Sequence, residues 1–303
     1  ESLNGSEAIY LRAQSASLQN LPRGNVADRN GDSKELTAGL KTNVVWLNQD
    51  SVEAESSISL ERAEFAFQGA SGNVLRHQRT TAPIGSALNW KMGSWVLSPG
   101  FLLSPTRYES ESNGTRSYLA FSPRLNANAE PMRNLRVRAS LGRYHRAPSL
   151  LELYGGVQGT SPNPQLQMET AVKVSGGVDW GRDDLLVSYT YSFAAARELV
   201  TYIQNSQNSQ VATNIGSSRI QSHELSMLGK RAGFTVRPSA TWLVTENRSE
   251  VSYQKGKALP LRTPFRFQAE VSYQLRFLEL SYGMGFYSET FSDLSNSRTL
   301  DSF

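Results

Sequence analysis

The sequence predicts an all-β protein, a transmembrane antiparallel β-barrel, and three observations predict it. Apolar and polar residues alternate along segment after segment, the connections are alternately short and long, and most tryptophans sit beside the short ones. The stretch 184–194 shows the alternation: Leu185, Val187, Tyr189, Tyr191 and Phe193 share one face, and Leu186, Ser188, Thr190 and Ser192 the other. A period of two sends successive side chains to opposite sides of a strand. Turns of about four residues alternating with connections of about ten to twenty fit a barrel with short periplasmic turns and long extracellular loops.

In chain order the pattern gives about fourteen strands. Strands near 6–16 and 35–47 flank a long connection, 17–34. The turn Asn48-Gln49-Asp50-Ser51 leads into 52–67, where the apolar face changes parity between Leu60 and Ala63 and reads as a bulge. A long connection, 68–83, precedes 84–91, and the Lys91-Met92-Gly93 corner precedes 94–104. Connection 105–114 leads to 115–126, and a short turn over 126–134 to 133–145. There Leu135, Val137, Ala139 and Leu141 oppose Arg136, Arg138, Ser140 and Gly142. After 146–168 come strands 169–179 and 184–203, joined by Trp180-Gly181-Arg182-Asp183. Connection 204–210 separates these from 211–228 and 233–248, which turn at Lys230-Arg231-Ala232. Beyond 249–261, strand 262–275 sets Phe265, Phe267, Ala269, Val271 and Tyr273 against Arg266, Gln268, Glu270, Ser272 and Gln274. A reversal at Leu275-Arg276-Phe277 opens strand 278–289, and 290–296 leads to 297–303. Several turns carry the Gly, Asn and Asp that tolerate positive φ.

Arg or Lys turned to lipid at mid-bilayer costs about 2–4 kcal/mol. Arg136, Arg138, Arg266 and Glu270 are therefore expected on the inner face, with their apolar neighbours outside. A soluble sandwich also alternates, but its strands average about five or six residues. Trp46, Trp90, Trp95 and Trp180 also fall near short turns, on one rim, where amphipathic rings meet a membrane interface.

Composition narrows the function classes. Charged residues are 19% of the 303, against roughly 25% in soluble domains. The absence of cysteine excludes disulfides, thiolate metal sites and a cysteine nucleophile. No apolar run approaches the roughly 18 residues of a membrane helix. A mean hydropathy of −0.42 suits a barrel, half of whose strand residues face a polar interior. The 31 basic residues are interleaved with 27 acidic ones, for a net charge of +4, which is not the gathered basic face of a nucleic-acid protein.

Residues 136–155 read Arg-Val-Arg-Ala-Ser-Leu-Gly-Arg-Tyr-His-Arg-Ala-Pro-Ser-Leu-Leu-Glu-Leu-Tyr-Gly, and 161–170 read Ser-Pro-Asn-Pro-Gln-Leu-Gln-Met-Glu-Thr. The pair resembles the barrel of the TonB-dependent receptors of Gram-negative outer membranes. Arg146, Ala147, Pro148, Ser149, Glu152, Leu153 and Tyr154 match the family's first motif; Asn163, Pro164, Leu166 and Glu169 match its second. Gln167 and Met168 depart from the Lys and Pro usual there, and Ser222 replaces a common glycine in the stretch that follows Asn214-Ile215-Gly216. Independently of the resemblance, Pro148 fixes its own φ and biases Ala147 away from helix, so the strand ends there.

The resemblance implies a barrel of roughly 22 strands around an N-terminal plug. On that reading residues 1–303 are a partial barrel domain, about the seventh to twentieth strands, without the plug or its TonB-contacting box. It implies an outer-membrane active-transport receptor that takes up a scarce solute with TonB-coupled energy, an iron–siderophore above all, or cobalamin or another chelate. The implied partners are a small-molecule metal chelate, the TonB complex through the plug, and outer-membrane lipid, with no nucleic acid and no resident cofactor. Tyr108, Arg146, Tyr154 and Tyr253 are the candidate ligand contacts, because aromatic and Arg side chains anchor binding sites. The alternative is a passive fourteen-stranded channel ending at Phe303.

Catalytic signals are sparse. His77, His145 and His223 lack metal-ligand spacing, and no Gly-x-Ser-x-Gly elbow, Walker loop or His-Glu-x-x-His occurs. Asp28, Asn30 and Asp32 are spaced like the start of a calcium loop, but Ser33 stands where its glycine belongs. Glu53, Glu55, Glu61, Glu270, Arg136 and Arg138 are expected to pair with one another, with water or with a plug, and no enzyme is expected.

Overall fold

The computed structural model describes residues 4–18, 31–48, 51–69, 74–155, 160–204 and 210–302. The first eight strands are β1 (Asn4–Leu18), β2 (Gly31–Asn48), β3 (Val52–Gly69), β4 (Val74–Thr81), β5 (Ile84–Met92), β6 (Trp95–Ser110), β7 (Gly114–Met132) and β8 (Leu135–Arg146). A short helix, α1 (Leu150–Tyr154), and β9 (Thr160–Ser161) interrupt the series. Then come β10 (Glu169–Arg182), β11 (Leu185–Gln204), β12 (Gln210–Arg231), β13 (Phe234–Asn247), β14 (Phe265–Gln274), β15 (Glu279–Tyr287), β16 (Thr290–Phe291) and β17 (Thr299–Leu300).

The long strands form one antiparallel sheet in sequence order from β1 to β15, a partial barrel in which β1 and β15 each have one described neighbour. β4 and β5 share a single place in it. Glu61 pairs with Thr81 and Ile58 with Ile84, so the register with β3 runs unbroken past Ala82 and Pro83. The interruption is local: Pro83 has no N–H to give the ladder.

Short turns close one end of the sheet, with two residues each between β5 and β6, β7 and β8, β10 and β11, and β12 and β13. The turn between β12 and β13 has positive φ at both central residues, Ala232 (48°) and Gly233 (84°), and Asn134 (70°) serves the turn between β7 and β8. Paired left-handed residues match the twist of flanking strands. Outward residues are apolar: Leu119 is 65% exposed and Val244 59%, and Trp90, Trp95 and Trp180 all stand out near the short-turn end. The inner face is polar and curls around a hollow of about 1080 Å³ lined by Arg136, Arg138, Asp179, Glu224 and Arg266. Arg136 meets Glu130 at 3.1 Å, Arg138 meets Asp179 at 2.8 Å, and Glu270 meets Arg237 at 3.2 Å. The predicted facing of the charged residues holds.

Four local expectations are corrected. Residues 74–81 are strand and not connection; their outward Arg76, Gln78 and Thr80 stand beyond the apolar band, so no alternation marks them. The connection 105–114 shrinks to three residues, because β6 runs on to Ser110 and β7 starts at Gly114. The parity change in β3 is no bulge: its register with β2 is continuous from Glu55 to Gly69, and Ala63 and Phe65 are apolar because they are covered from inside. The irregularity lies on β2, between Val45 and Leu47, where Trp46 is the extra residue. Finally, 297–303 does not add a strand to the main sheet, since Thr299–Leu300 pairs only with the two residues of β16.

Candidate functional site

At the end opposite the short turns, the connection after β8 folds inward and closes part of the mouth. Pro148 stops the strand, and Ser149 then caps α1. The Ser149 Oγ accepts the Glu152 N–H at 3.2 Å while the Glu152 carboxylate accepts the Ser149 N–H at 2.7 Å. That reciprocal pair satisfies two donors a helix start leaves open. Gly155, with φ 75°, ends the helix and returns its N–H to the Leu151 carbonyl at 2.9 Å.

Arg146, the last residue of β8, ties this helix to the wall. Its guanidinium donates to both oxygens of Glu152, at 2.9 and 3.0 Å, and to both oxygens of Glu169, at 2.8 and 2.7 Å. Fork-to-fork pairing of this kind fixes geometry as well as charge. The same Glu169 carboxylate accepts the Val200 N–H at 2.7 Å, which brings β11 into the cluster. Burial pushes the Glu152 carboxyl up, but the Arg146 guanidinium and the Ser149 N–H outweigh it and hold the group below its ordinary value.

Beneath the ions lies a small apolar core. Leu150, Leu153 and Leu166 pack with Ala63 and Phe65 of β3, Tyr108 of β6, Val200 of β11 and Ala212 of β12. Backbone carbonyls of the connection find partners on the wall. Tyr108 donates its hydroxyl to the Pro148 carbonyl, and Tyr118 donates to that of Leu166 at 2.7 Å. Arg116 donates to the Pro164 carbonyl at 2.5 Å. Asn163 donates its amide to the Ala212 carbonyl at 2.8 Å and its N–H to the Glu152 carbonyl. The ring of Tyr154 lies flat on His77, 4.0 Å between centroids and 3° between planes, and His77 Nδ1 bonds the Ser110 hydroxyl. Such a connection carries so many polar backbone groups that burying it is favourable only when they are paired.

The structure thus brings the residues of both sequence motifs into one cluster. Of the four candidate ligand contacts, Arg146 is 45% exposed on its side chain, Tyr154 is half-buried, and Tyr108 is fully buried beneath α1. Tyr253 stands apart, 64% exposed in the loop after β13. Sequence reasoning missed α1 itself, although Ser149-x-x-Glu152 is a capping-box signature; it weighed His77 only for metal or catalytic roles, and it missed Tyr118, Val200 and Ala212. Their one signal was apolar character at inward parity near the far ends of strands. His145 bonds Ser122 at 3.0 Å and His223 bonds Tyr189 at 2.8 Å. Asp28 and Asn30 lie outside the described residues.

Chemically, the cluster can hold a connection in place and present a half-exposed guanidinium whose two forks are both filled by carboxylates; Arg116 also sits 4.9 Å over the Tyr118 ring. Among the described residues no group of three or more His, Asp or Glu is placed to hold a metal ion.

Comparison with known proteins agrees with this architecture. Residues 11–303 match the family described as TonB dependent receptor-like, beta-barrel. No curated protein sequence matches the chain. The fold is similar to that of the copper transporter OprC, with 14% identity and a TM-score of 0.78 over 99% of this chain and 52% of that one. The FrpB iron transporter from Neisseria meningitidis, in its F5-1 apoprotein form, is 12% identical with a TM-score of 0.73, over 99% and 52% of the two chains. The siderophore receptor PiuA from Acinetobacter baumannii is 13% identical with a TM-score of 0.72, over 90% and 49%. The chain spans about half the length of each of these structures, and the likeness is one of fold.

Proposed function

Given that the chain belongs to the TonB-dependent receptor β-barrel family, we propose that it forms much of the wall of an active-transport receptor in a Gram-negative outer membrane. The observation that carries the reading is the family match over residues 11–303, joined to a wall that is apolar outside and polar inside. In this reading a scarce solute binds at the mouth, and TonB, acting through a plug that lies outside residues 1–303, drives its release inward. An iron–siderophore is the proposed cargo, with cobalamin or another metal chelate as the next class; the names of FrpB, PiuA and OprC support metal-linked cargo. The proposed ligand contacts are the half-exposed side chain of Arg146, the half-buried ring of Tyr154 and the exposed Tyr253, with Tyr108 supporting them from below. The role is transport and not catalysis.

The test is uptake of radiolabelled iron–siderophores, cobalamin and copper by source cells with and without the gene. Gene-dependent uptake abolished by a proton uncoupler supports the reading. Gene-dependent flux that survives uncoupling overturns it in favour of a passive channel.

A further inference from the structure

Directly opposed residues on neighbouring strands form rows across the outer face, and the rows from β8 to β13 change character toward the mouth. One row runs Ala139, Gly176, Tyr191, His223, Trp242, and the next toward the mouth runs Leu141, Val174, Phe193, Gln221, Val244. Apart from His223 and Gln221, these rows carry the aromatic and apolar residues of a wall meeting lipid, with Trp242 48% exposed. The following row runs Arg143, Val172, Ala195, Arg219, Glu246. Beyond it, Arg197 faces Ser217, whose carbonyl accepts the Arg248 N–H at 2.8 Å.

Arg143, Arg197, Arg219 and Arg248 are all exposed, and all point outward with the apolar rows below them. Arg248 pairs with Glu246 at 3.0 Å. Glu246 also stands directly opposite Arg219 in register, but among the described residues the side chains of Arg143, Arg197 and Arg219 make no ion pair and no hydrogen bond. The opposite flank differs: there Arg76 has Glu64 at 3.7 Å, Arg107 has Glu109 at 2.9 Å, and Arg62 donates to Gln78. Those outward arginines each have a side-chain partner, whereas three of the four on the other flank have none among the described residues.

We propose that this open patch, Arg143, Arg197 and Arg219 with Arg248 at its edge, is a binding surface for the phosphate groups of lipid headgroups in the outer leaflet. The chemistry fits the position. Aromatic residues mark the headgroup level, guanidinium forks match phosphate oxygens, and long cationic side chains reach from an apolar wall to the polar layer. A cation at that height without a protein partner is satisfied by an anionic headgroup or by water, and three together favour a headgroup bearing more than one phosphate. The inference rests on the membrane placement proposed above and on no cargo.

The experiment is native mass spectrometry of the complete natural protein, extracted in detergent and titrated with diphosphoryl lipid A, with phosphatidylcholine and with inorganic phosphate. Retention of diphosphoryl lipid A well above phosphatidylcholine, undisturbed by equimolar inorganic phosphate, is expected. The R197Q/R219Q variant is expected to bind it about thirtyfold more weakly, and R197K/R219K to recover most of the loss. Equal retention of both lipids, displacement by inorganic phosphate, or unchanged binding by R197Q/R219Q overturns the proposal. Should R197Q/R219Q not fold, loss of the native protein's preference in high salt replaces it, and a salt-insensitive preference counts against the patch. A protein absent from outer-membrane fractions would instead remove the placement itself.

Discussion

Arg146 and Glu169 stand directly opposite each other at the mouth ends of β8 and β10, joined by two hydrogen bonds of 2.8 and 2.7 Å. The pair gives the Arg146 side chain one fixed direction, and from there its other edge meets Glu152 of α1. Removing the guanidinium leaves the Glu152 carboxylate, whose side chain is 7% exposed, without its cation. A fully buried pair broken this way costs about 3–5 kcal/mol; with Arg146 partly solvated, about 2 kcal/mol is expected for Arg146→Gln. Limited proteolysis should show new cleavage within 147–168 while the barrel stays folded; an uncut connection would contradict the tie.

Acid should loosen the same connection. The Glu152 carboxyl is held below its ordinary value of 4.5 when the connection is docked, and it returns toward that value when released. The released state therefore binds the proton more readily, so docking is fully supported above the ordinary value and weakens as pH falls through it toward the lower docked one. Opening of 147–155, read as hydrogen exchange corrected for its intrinsic pH dependence, should rise as the pH falls from 7 to 3. Glu152→Gln should flatten the rise.

Tyr108→Phe and Tyr118→Phe test the carbonyl partners. Each leaves a carbonyl of the connection, at Pro148 or Leu166, without its hydroxyl donor. A loss of about 1–2 kcal/mol is expected where the orphaned group stays buried, as for Tyr108. Tyr118 is half-buried, water can reach it, and its loss should be smaller. Proteolysis rates of the two variants, compared side by side, give the order.

The turn between β12 and β13 offers a stabilising change. Ala232 holds φ at 48°, a region that Asn tolerates better than Ala. Ala232→Asn should raise unfolding stability in detergent by up to about 1 kcal/mol, and Ala232→Val should lower it by at least as much. Urea unfolding midpoints would decide.

The membrane-crossing half of each strand was legible in the sequence because one face must match lipid, and lipid admits a single pattern. Val187, Tyr189 and Tyr191 state it directly. Beyond the apolar band that constraint lapses, so Val74–Thr81 reads as connection although it pairs residue by residue with β3. Ala63 and Phe65 carried a true signal under a wrong cause: an apolar inner face means that something covers it. What covers it comes from residues some ninety positions later, and a contact between Phe65 and the Leu150–Leu166 cluster leaves no local trace in either segment. The motif residues were visible as letters; that Arg146, Glu152 and Glu169 bind one another was not.

The inward-folded connection also has a mechanical consequence. It touches β3 and β4 on one flank and β11 and β12 on the other, spanning the arc of the sheet as a chord spans a bow. A curved sheet alone resists flattening only through the twist of its strands. With the chord in place, spreading the flanks must pull Leu153 and Leu166 from their packing and stretch the Arg146 fork at the same moment. Curvature at the mouth is then set by one short segment, and a change of a few ångströms in that segment would be felt as a change in the diameter of the opening.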